Sequence, residues 1–237
     1  MKKIIVIGVI ALFICVGFQS AFAVESNVSV DNIKIEEDIE PKDYLFETIV
    51  AIANNPEVKE LFEQYKDDWS DYLVNLNFHN RYLFFKILVK NPSLFNSILF
   101  TKSVMSHEYL NSAHTSGCEI INIIGEEKAF QILESVELVN PDIVDKIANI
   151  ISNNEELYNR ITILSEMNEN YSIICDLLLT IWFPIFIHMM ILGIYASFFP
   201  EWGIIYKILE FRCYRIAERL MLVGSIMEYF DCPPLNG

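Results

Sequence analysis

The sequence predicts an all-α protein, either an irregular helical bundle or a short array of helix pairs, with a candidate C-terminal transmembrane helix. Apolar residues recur at helical spacing through most of the chain. Only 8 of 237 residues are glycine, no stretch alternates steadily between apolar and polar residues, and the only Asn-Gly or Asp-Gly dipeptide is the terminal Asn236-Gly237. Strands and hairpins are therefore not expected. Residues 177–199 contain no charged side chain, which indicates a buried or membrane-spanning helix.

The first 40 residues are typical of an exported protein. Residues 1–3 supply a positive start, residues 4–18 are apolar, and Ala21-Phe22-Ala23 fits a cleavage site. We expect residues 1–23 to be a signal peptide, with an uncleaved anchor as the alternative. Residues 24–40 are acidic with few large side chains, which predicts a flexible leader.

Residues 41–172 are predicted to form an exported helical domain. Asparagine is a good N-cap and proline is tolerated at the first helical position, so an Asn-Pro pair marks a helix start. Such pairs occur at Asn55-Pro56, Asn91-Pro92 and Asn140-Pro141, and Asn154 before Glu155 marks a fourth start. Each start is followed by apolar residues on one helical face.

Residues 177–199 are the candidate transmembrane helix. At ~1.5 Å per residue they are long enough to cross a core of roughly 30 Å. Their Leu, Ile and Phe residues favour insertion by on the order of 4 to 8 kcal/mol. Pro184 and His188 reduce that gain, because the proline removes a helical hydrogen bond and the imidazole needs a partner. His188 is the intramembrane polar candidate on this interpretation, and a neutral histidine bonded to a carbonyl is the simpler alternative.

The flanks of this helix predict its orientation. Lys207, Arg212, Arg215 and Arg219 follow it, whereas the preceding segment 150–176 contains only Arg160. The positive-inside rule then predicts a protein anchored in the cell membrane, with its C-terminus in the cytoplasm and its N-terminal domain outside.

Residues 201–237 are predicted to form an amphipathic helix and tail, which either lies on the inner membrane surface or packs on the preceding helix. The second option describes a secreted soluble bundle. In that bundle, residues 177–199 break at Pro184 into core helices.

Two expectations for the cysteines follow from these alternatives. If residues 177–199 span a membrane, Cys118 and Cys175 are outside and form a disulfide, while Cys213 and Cys232 remain thiols in the cytoplasm. If the bundle is secreted whole, all four are exported and form two bridges, for which three connectivities are open.

One constellation suggests chemistry. His107, His114 and Cys118 fall on one face if their segment is a continuous helix, and imidazole and thiolate groups suit zinc or copper. Residues 115–117, Thr-Ser-Gly, predict an interruption there, and no second ligand pair accompanies the set. We assign no catalytic residue and no cofactor from the sequence.

Charge and composition restrict the partners. The net charge is −15, and residues 24–172 contain 11 basic and 26 acidic side chains. A chain with this acidic charge and no basic stripe is not expected to bind nucleic acid. The sequence therefore predicts a membrane-tethered exported helical protein that binds an unidentified protein partner without catalysis. The alternative is a soluble secreted all-α structural or effector protein, and the third option is a metal-binding protein or enzyme using His107, His114 and Cys118.

Overall fold

The computed structural model describes residues 40–65, 105–134, 141–167 and 172–232. These four segments form eight helices and, within these segments, no strand. The helices are α1 (Pro41–Asn54), α2 (Pro56–Gln64), α3 (His107–Ile124), α4 (Glu126–Glu134), α5 (Pro141–Asn153), α6 (Glu155–Met167), α7 (Ser172–Ala196) and α8 (Ile204–Tyr229). The predicted all-α fold is confirmed.

The helix starts form where the asparagine caps predict them. The Asn55 side chain accepts hydrogen bonds from the backbone N–H groups of Glu57 and Val58, at 2.9 and 3.3 Å. Asn154 accepts from the N–H of Leu157 at 3.1 Å, and α5 begins at Pro141. Each cap satisfies a backbone donor that the first helical turn leaves open. The remaining predicted start, Asn91-Pro92, lies outside the described residues.

The bundle is built around α7. This helix packs mainly against α8 and α3 and also contacts α1, while α6 lies against α1 and α5, and α5 lies against α8. Trp182 and Phe183, near the middle of α7, are almost completely buried. A single apolar cluster joins side chains of α7 with those of α1, α3, α5, α6 and α8. Because burying a large apolar side chain stabilises a fold by about 1.5–3 kcal/mol, α7 is the main source of core stability.

The same helix is the one described segment that has the length and composition to cross a membrane. Ile173–Ala196 is 24 residues long, and 78% of its most apolar window is buried inside the protein. Core helices meet the same criterion, so length and composition are weak evidence for a span.

Helices α7 and α8 form an antiparallel hairpin. Residues 197–203 connect them, and Cys175 near the start of α7 is bridged to Cys232 just after α8. Tyr214 of α8 also donates a buried hydrogen bond of 2.9 Å to the carbonyl of Phe62, just before the end of α2. The disulfide therefore closes the hairpin itself, whereas the Tyr214 hydrogen bond and apolar packing attach the hairpin to the rest of the bundle.

Two expected helix breaks are absent. Helix α3 continues through residues 115–117, and α7 continues through Pro184. The two positions meet where α3 and α7 are in contact. Pro184 lacks the N–H that would donate to the carbonyl of Thr180. Gly117 lies against that carbonyl, because a β-carbon on Gly117 would be only 1.7 Å from the Thr180 oxygen. The carbonyl that Pro184 leaves without its helical donor is therefore packed against α3, and the absence of a side chain at Gly117 permits this approach.

Candidate functional site

Helix α3 carries the three residues weighed for metal binding, and its start is well defined. The Ser106 hydroxyl accepts a hydrogen bond from the Tyr109 N–H at 3.2 Å, which caps the helix one residue before His107. His114 follows two turns later, and its Nδ1 lies 2.7 Å from the Thr180 hydroxyl on α7. That hydroxyl donates its own hydrogen to the Leu177 carbonyl at 2.7 Å. His114 Nδ1 must therefore carry the proton and donate to Thr180.

His107 is held elsewhere. Its Nε2 is 3.3 Å from a carboxylate oxygen of Asp43 on α1. The Phe46 ring makes edge contacts with both histidines, at centroid distances of 5.3 Å to His107 and 6.3 Å to His114. An apolar ring therefore contacts each of the two imidazoles.

The metal-site prediction for His107, His114 and Cys118 is not supported by this arrangement. The two histidines are seven positions apart on α3, a rise of ~10.5 Å, and their imidazoles contact different partners, Asp43 and Thr180. In the described part of the chain, no group of three His, Cys, Asp or Glu side chains could hold a metal ion.

The surroundings of Cys118 do not favour a Cys-His nucleophile either. The Cys118 sulfur is 3.9 Å from His114 Nδ1, but that nitrogen already donates to Thr180. Burial raises the pKa of the Cys118 thiol, and burial followed by the charge of Lys42 lowers the pKa of His114. A reactive cysteine needs the opposite, a depressed thiol pKa beside a base or a cation.

The cysteine pairing differs from the expected one. The bridge joins Cys175 to Cys232, with Cα atoms 5.4 Å apart, whereas Cys118 and Cys213 are free thiols. The Cys118–Cys175 bridge and the Cys232 thiol that a membrane span predicted are therefore both wrong, and the two bridges that a secreted bundle predicted are reduced to one, because Cys118 and Cys213 are free. The physical reason is the antiparallel hairpin, which returns the end of α8 to the start of α7. Cys213 is buried, and burial, with the nearby Glu210 charge, raises its pKa to about 12.

His188 lies in the core of the bundle on α7. Only 7% of it is exposed, and burial, with the charges of Arg219 and Arg212, lowers its pKa to about 3. Arg219 of α8 is buried as well, with its guanidinium 4.7 Å from the centre of the Tyr109 ring on α3. The imidazole is therefore neutral at physiological pH, and a group with so low a pKa is a poor general acid or base there.

The hairpin carries an exposed apolar surface that sequence analysis missed. It begins in the connection, where Phe198 is 75% and Trp202 87% exposed, and continues along α8 through Ile204, Ile208 and Phe211. We call these five residues the hairpin-end face. Ile204, Ile208 and Phe211 share one helical face, because they are spaced by four and three positions.

A sequence signal for this face existed. The buried face of α8 runs through Leu209, Cys213, Ile216 and Leu220, so the apolar residues of α8 fall into two sets. Ile208 is exposed and Leu209 is buried, because adjacent residues differ by about 100° around a helix. Helix α8 has more apolar residues than one buried face needs, and this excess indicates a second apolar surface.

No protein-family model, curated protein or solved structure matches this chain.

Proposed function

We propose that the protein is an exported, non-catalytic binding protein, in which α7 is the core helix of the bundle and the hairpin-end face is the contact surface. One observation carries the proposal: the α7–α8 hairpin is closed by Cys175–Cys232 at one end and exposes aromatic side chains at the other. A rigid, disulfide-closed element that presents apolar side chains to water is typical of a recognition surface.

The disulfide and the leader support export together. Disulfides persist in oxidising compartments and are rare in the cytosol of most organisms. The predicted signal peptide at residues 1–23 would deliver the chain to such a compartment. The two features are independent, because one comes from the first residues and the other from the packing of the last two helices.

The packing of α8 argues against α7 as a simple span. Helix α8 runs back along α7, and residues 207–219 contain six charged side chains. If α7 crossed a bilayer with this packing intact, those charges would enter the hydrocarbon, where each costs about 2.5–3.5 kcal/mol. Cys175 and Cys232 would then lie on the same side of the membrane, rather than on opposite sides.

A membrane tether remains the second candidate, favoured by the length and apolarity of Ile173–Ala196. In this version α7 leaves the bundle and inserts alone. It would have to give up its contacts with α3 and α8, and the bridge to Cys232 would hold the end of α8 beside the outer end of α7.

Thiol counting in cells tests export. Cells are quenched with acid, and the denatured protein is alkylated with a maleimide polymer that adds a visible mass per thiol. The exported mature chain is expected to gain two adducts without reductant, on Cys118 and Cys213, and four after reduction. Four or more adducts without reductant would contradict export.

Carbonate extraction of the membrane fraction separates the two candidates. The bundle is expected to be released at high pH, whereas an inserted α7 would remain in the pellet. A known integral protein and a known peripheral protein of the same cells serve as controls. Retention of the mature chain would favour the tether.

A further inference from the structure

We propose that the Cys175–Cys232 bridge is a covalent lock that decides whether α7 is confined to the core or is able to cross a membrane. With the bridge formed, α7 stays in the bundle, and without the bridge α7 can insert as a span. The lock goes beyond the proposed function, because it concerns the buried helix and not the hairpin-end face.

The lock follows from the way the bridge closes the chain. Cys175 lies near the start of α7, Cys232 lies just after α8, and residues 197–203 connect the two helices at their other ends. Residues 175–232 therefore form a closed covalent ring. A closed ring crosses a membrane an even number of times, so α7 cannot cross unless residues 197–231 cross back.

The returning part of the ring is unsuited to lipid. A span needs about 20 residues, and every stretch of that length between residues 197 and 231 contains at least five charged side chains. Residues 177–199, by contrast, contain none. Because each charged side chain disfavours the hydrocarbon layer, the ring excludes α7 from a bilayer, although Ile173–Ala196 has the length and composition of a span.

Without the bridge, α7 needs to cross only once. Helix α8 then stays on the far side of the bilayer, and its four basic residues between 207 and 219 follow the span, as the positive-inside rule favours. Insertion is opposed only by the packing of α7 against its neighbours, chiefly α3 and α8. Lipid and core both remove α7 from water, so the unbridged chain has two states where the bridged chain has one. The membrane tether is then a property of the unbridged chain.

The surroundings of the bridge make the lock persistent. Cys232 is fully buried, and Cys175 is only 8% exposed. Reduction by thiol–disulfide exchange requires a thiolate to reach one of these sulfurs, so the folded bundle protects the bridge. The state of the lock is therefore set when the chain folds, because the bridge forms in an oxidising compartment and not in a reducing one.

Insertion from the unfolded chain tests the lock. The mature chain is unfolded in urea, which leaves the bridge intact, and is diluted into vesicles of phosphatidylcholine with phosphatidylglycerol. A second sample is first reduced by a dithiol, which becomes a cyclic disulfide and transfers two electrons and two protons to the Cys175 and Cys232 sulfurs. The double variant Cys175→Ser/Cys232→Ser is an unbridged chain that needs no reductant.

Two readouts report a span. Carbonate extraction measures the fraction that stays with the vesicles, and trypsin added outside them digests what is exposed. The unbridged chains should leave a protected fragment that begins after Arg160, the last basic residue before α7, and continues to Gly237. Their carbonate-resistant fraction should exceed that of the bridged wild type by more than about tenfold, because one charged side chain in hydrocarbon is worth that factor.

Gly117→Ala is the matched control, because it weakens the packing of α3 on α7 and keeps the bridge. Its bridged form should insert no more than the bridged wild type. Cys118→Ser removes a thiol outside the ring and should also leave insertion unchanged.

Three results would overturn the inference: a protected fragment from the bridged wild type, equal insertion of bridged Gly117→Ala and the unbridged chains, or no insertion of either unbridged chain. The second result would mean that loss of stability, and not opening of the ring, releases α7. These outcomes are distinguishable from failure of the proposed function, because they do not depend on export, which thiol counting in cells reports separately.

Discussion

Gly117 of α3 lies against the backbone of α7, and its substitution by alanine tests this close approach. A β-carbon there would lie 1.7 Å from the carbonyl oxygen of Thr180, 2.5 Å from its carbon and 2.9 Å from its Cα. Real β-carbons essentially never come within 3.0 Å of another heavy atom, so the two backbones must separate locally by about 1.3 Å. All three obstructing atoms belong to the backbone, so no side chain can rotate to relieve the contact.

The expected loss of stability follows from three contributions. Overpacking of this kind costs about 1–3 kcal/mol. Separation of the helices also stretches the 2.7 Å hydrogen bond between His114 and Thr180, which contributes about 1 kcal/mol. Alanine returns about 1 kcal/mol through its higher helix propensity. We therefore expect Gly117→Ala to lower the free energy of unfolding by about 1–3 kcal/mol and the Tm by roughly 2–12 °C.

Urea unfolding followed by circular dichroism, together with a thermal scan, measures this change. Gly193→Ala is the matched control, because Gly193 is also inside a helix but has no atom within 4 Å of its added β-carbon. That variant should be neutral or more stable by up to about 1 kcal/mol. If Gly117→Ala were as stable as Gly193→Ala, the close packing of α3 on α7 would be refuted.

Three further predictions concern the disulfide and the core. Replacing Cys175 and Cys232 together by serine should lower the free energy of unfolding by about 2–4 kcal/mol in urea titrations, because the bridge closes a loop across a sequence separation of 57 residues. His188 has its pKa lowered from 6.5 to about 3, so its contribution to stability is complete above pH 6.5 and is lost as the pH falls toward 3. We expect unfolding experiments to show about 2 kcal/mol less stability from this group at pH 5 than at neutral pH, and His188→Leu to remove that part of the pH dependence. The indole N–H of Trp182 is buried without an acceptor among the described residues. Trp182→Phe removes this unpaired donor and keeps an aromatic ring, so it should change the free energy of unfolding by less than about 1 kcal/mol. Phe183→Ala instead leaves a cavity in the core and should cost about 3–5 kcal/mol.

Each of these predictions has its own control. Cys118→Ser changes a free thiol and should leave stability within about 0.5 kcal/mol, and a double serine variant of equal stability would argue against the Cys175–Cys232 pairing. An unchanged pH profile in His188→Leu would place the acid sensitivity on other groups. A large loss in Trp182→Phe would mean that its indole N–H has an acceptor in solution.

The helix content and many boundaries were predictable from the sequence. Asn55 and Asn154 cap the helices that they were expected to cap, since a cap depends on residues only two or three positions away. The all-α class followed from periodicity, which also has a local origin. Residues 177–199 were recognised as exceptional, and most of them lie in the central helix α7.

The pairing and the surface were not predictable from the sequence. Cys232 meets Cys175 only because α8 turns back on α7, and helical rise alone gives no information on that turn. Ile208 could be assigned to an exposed face only once Leu209 was known to point inward.

The sequence by itself determined that this protein is helical, acidic and organised around one uncharged apolar segment, because these properties depend on composition and on neighbours a few residues apart. Tertiary structure decided what covers that segment. An apolar helix gains similar free energy from lipid and from other apolar side chains, so only the positions of α3 and α8 against α7 distinguish a core helix from a span.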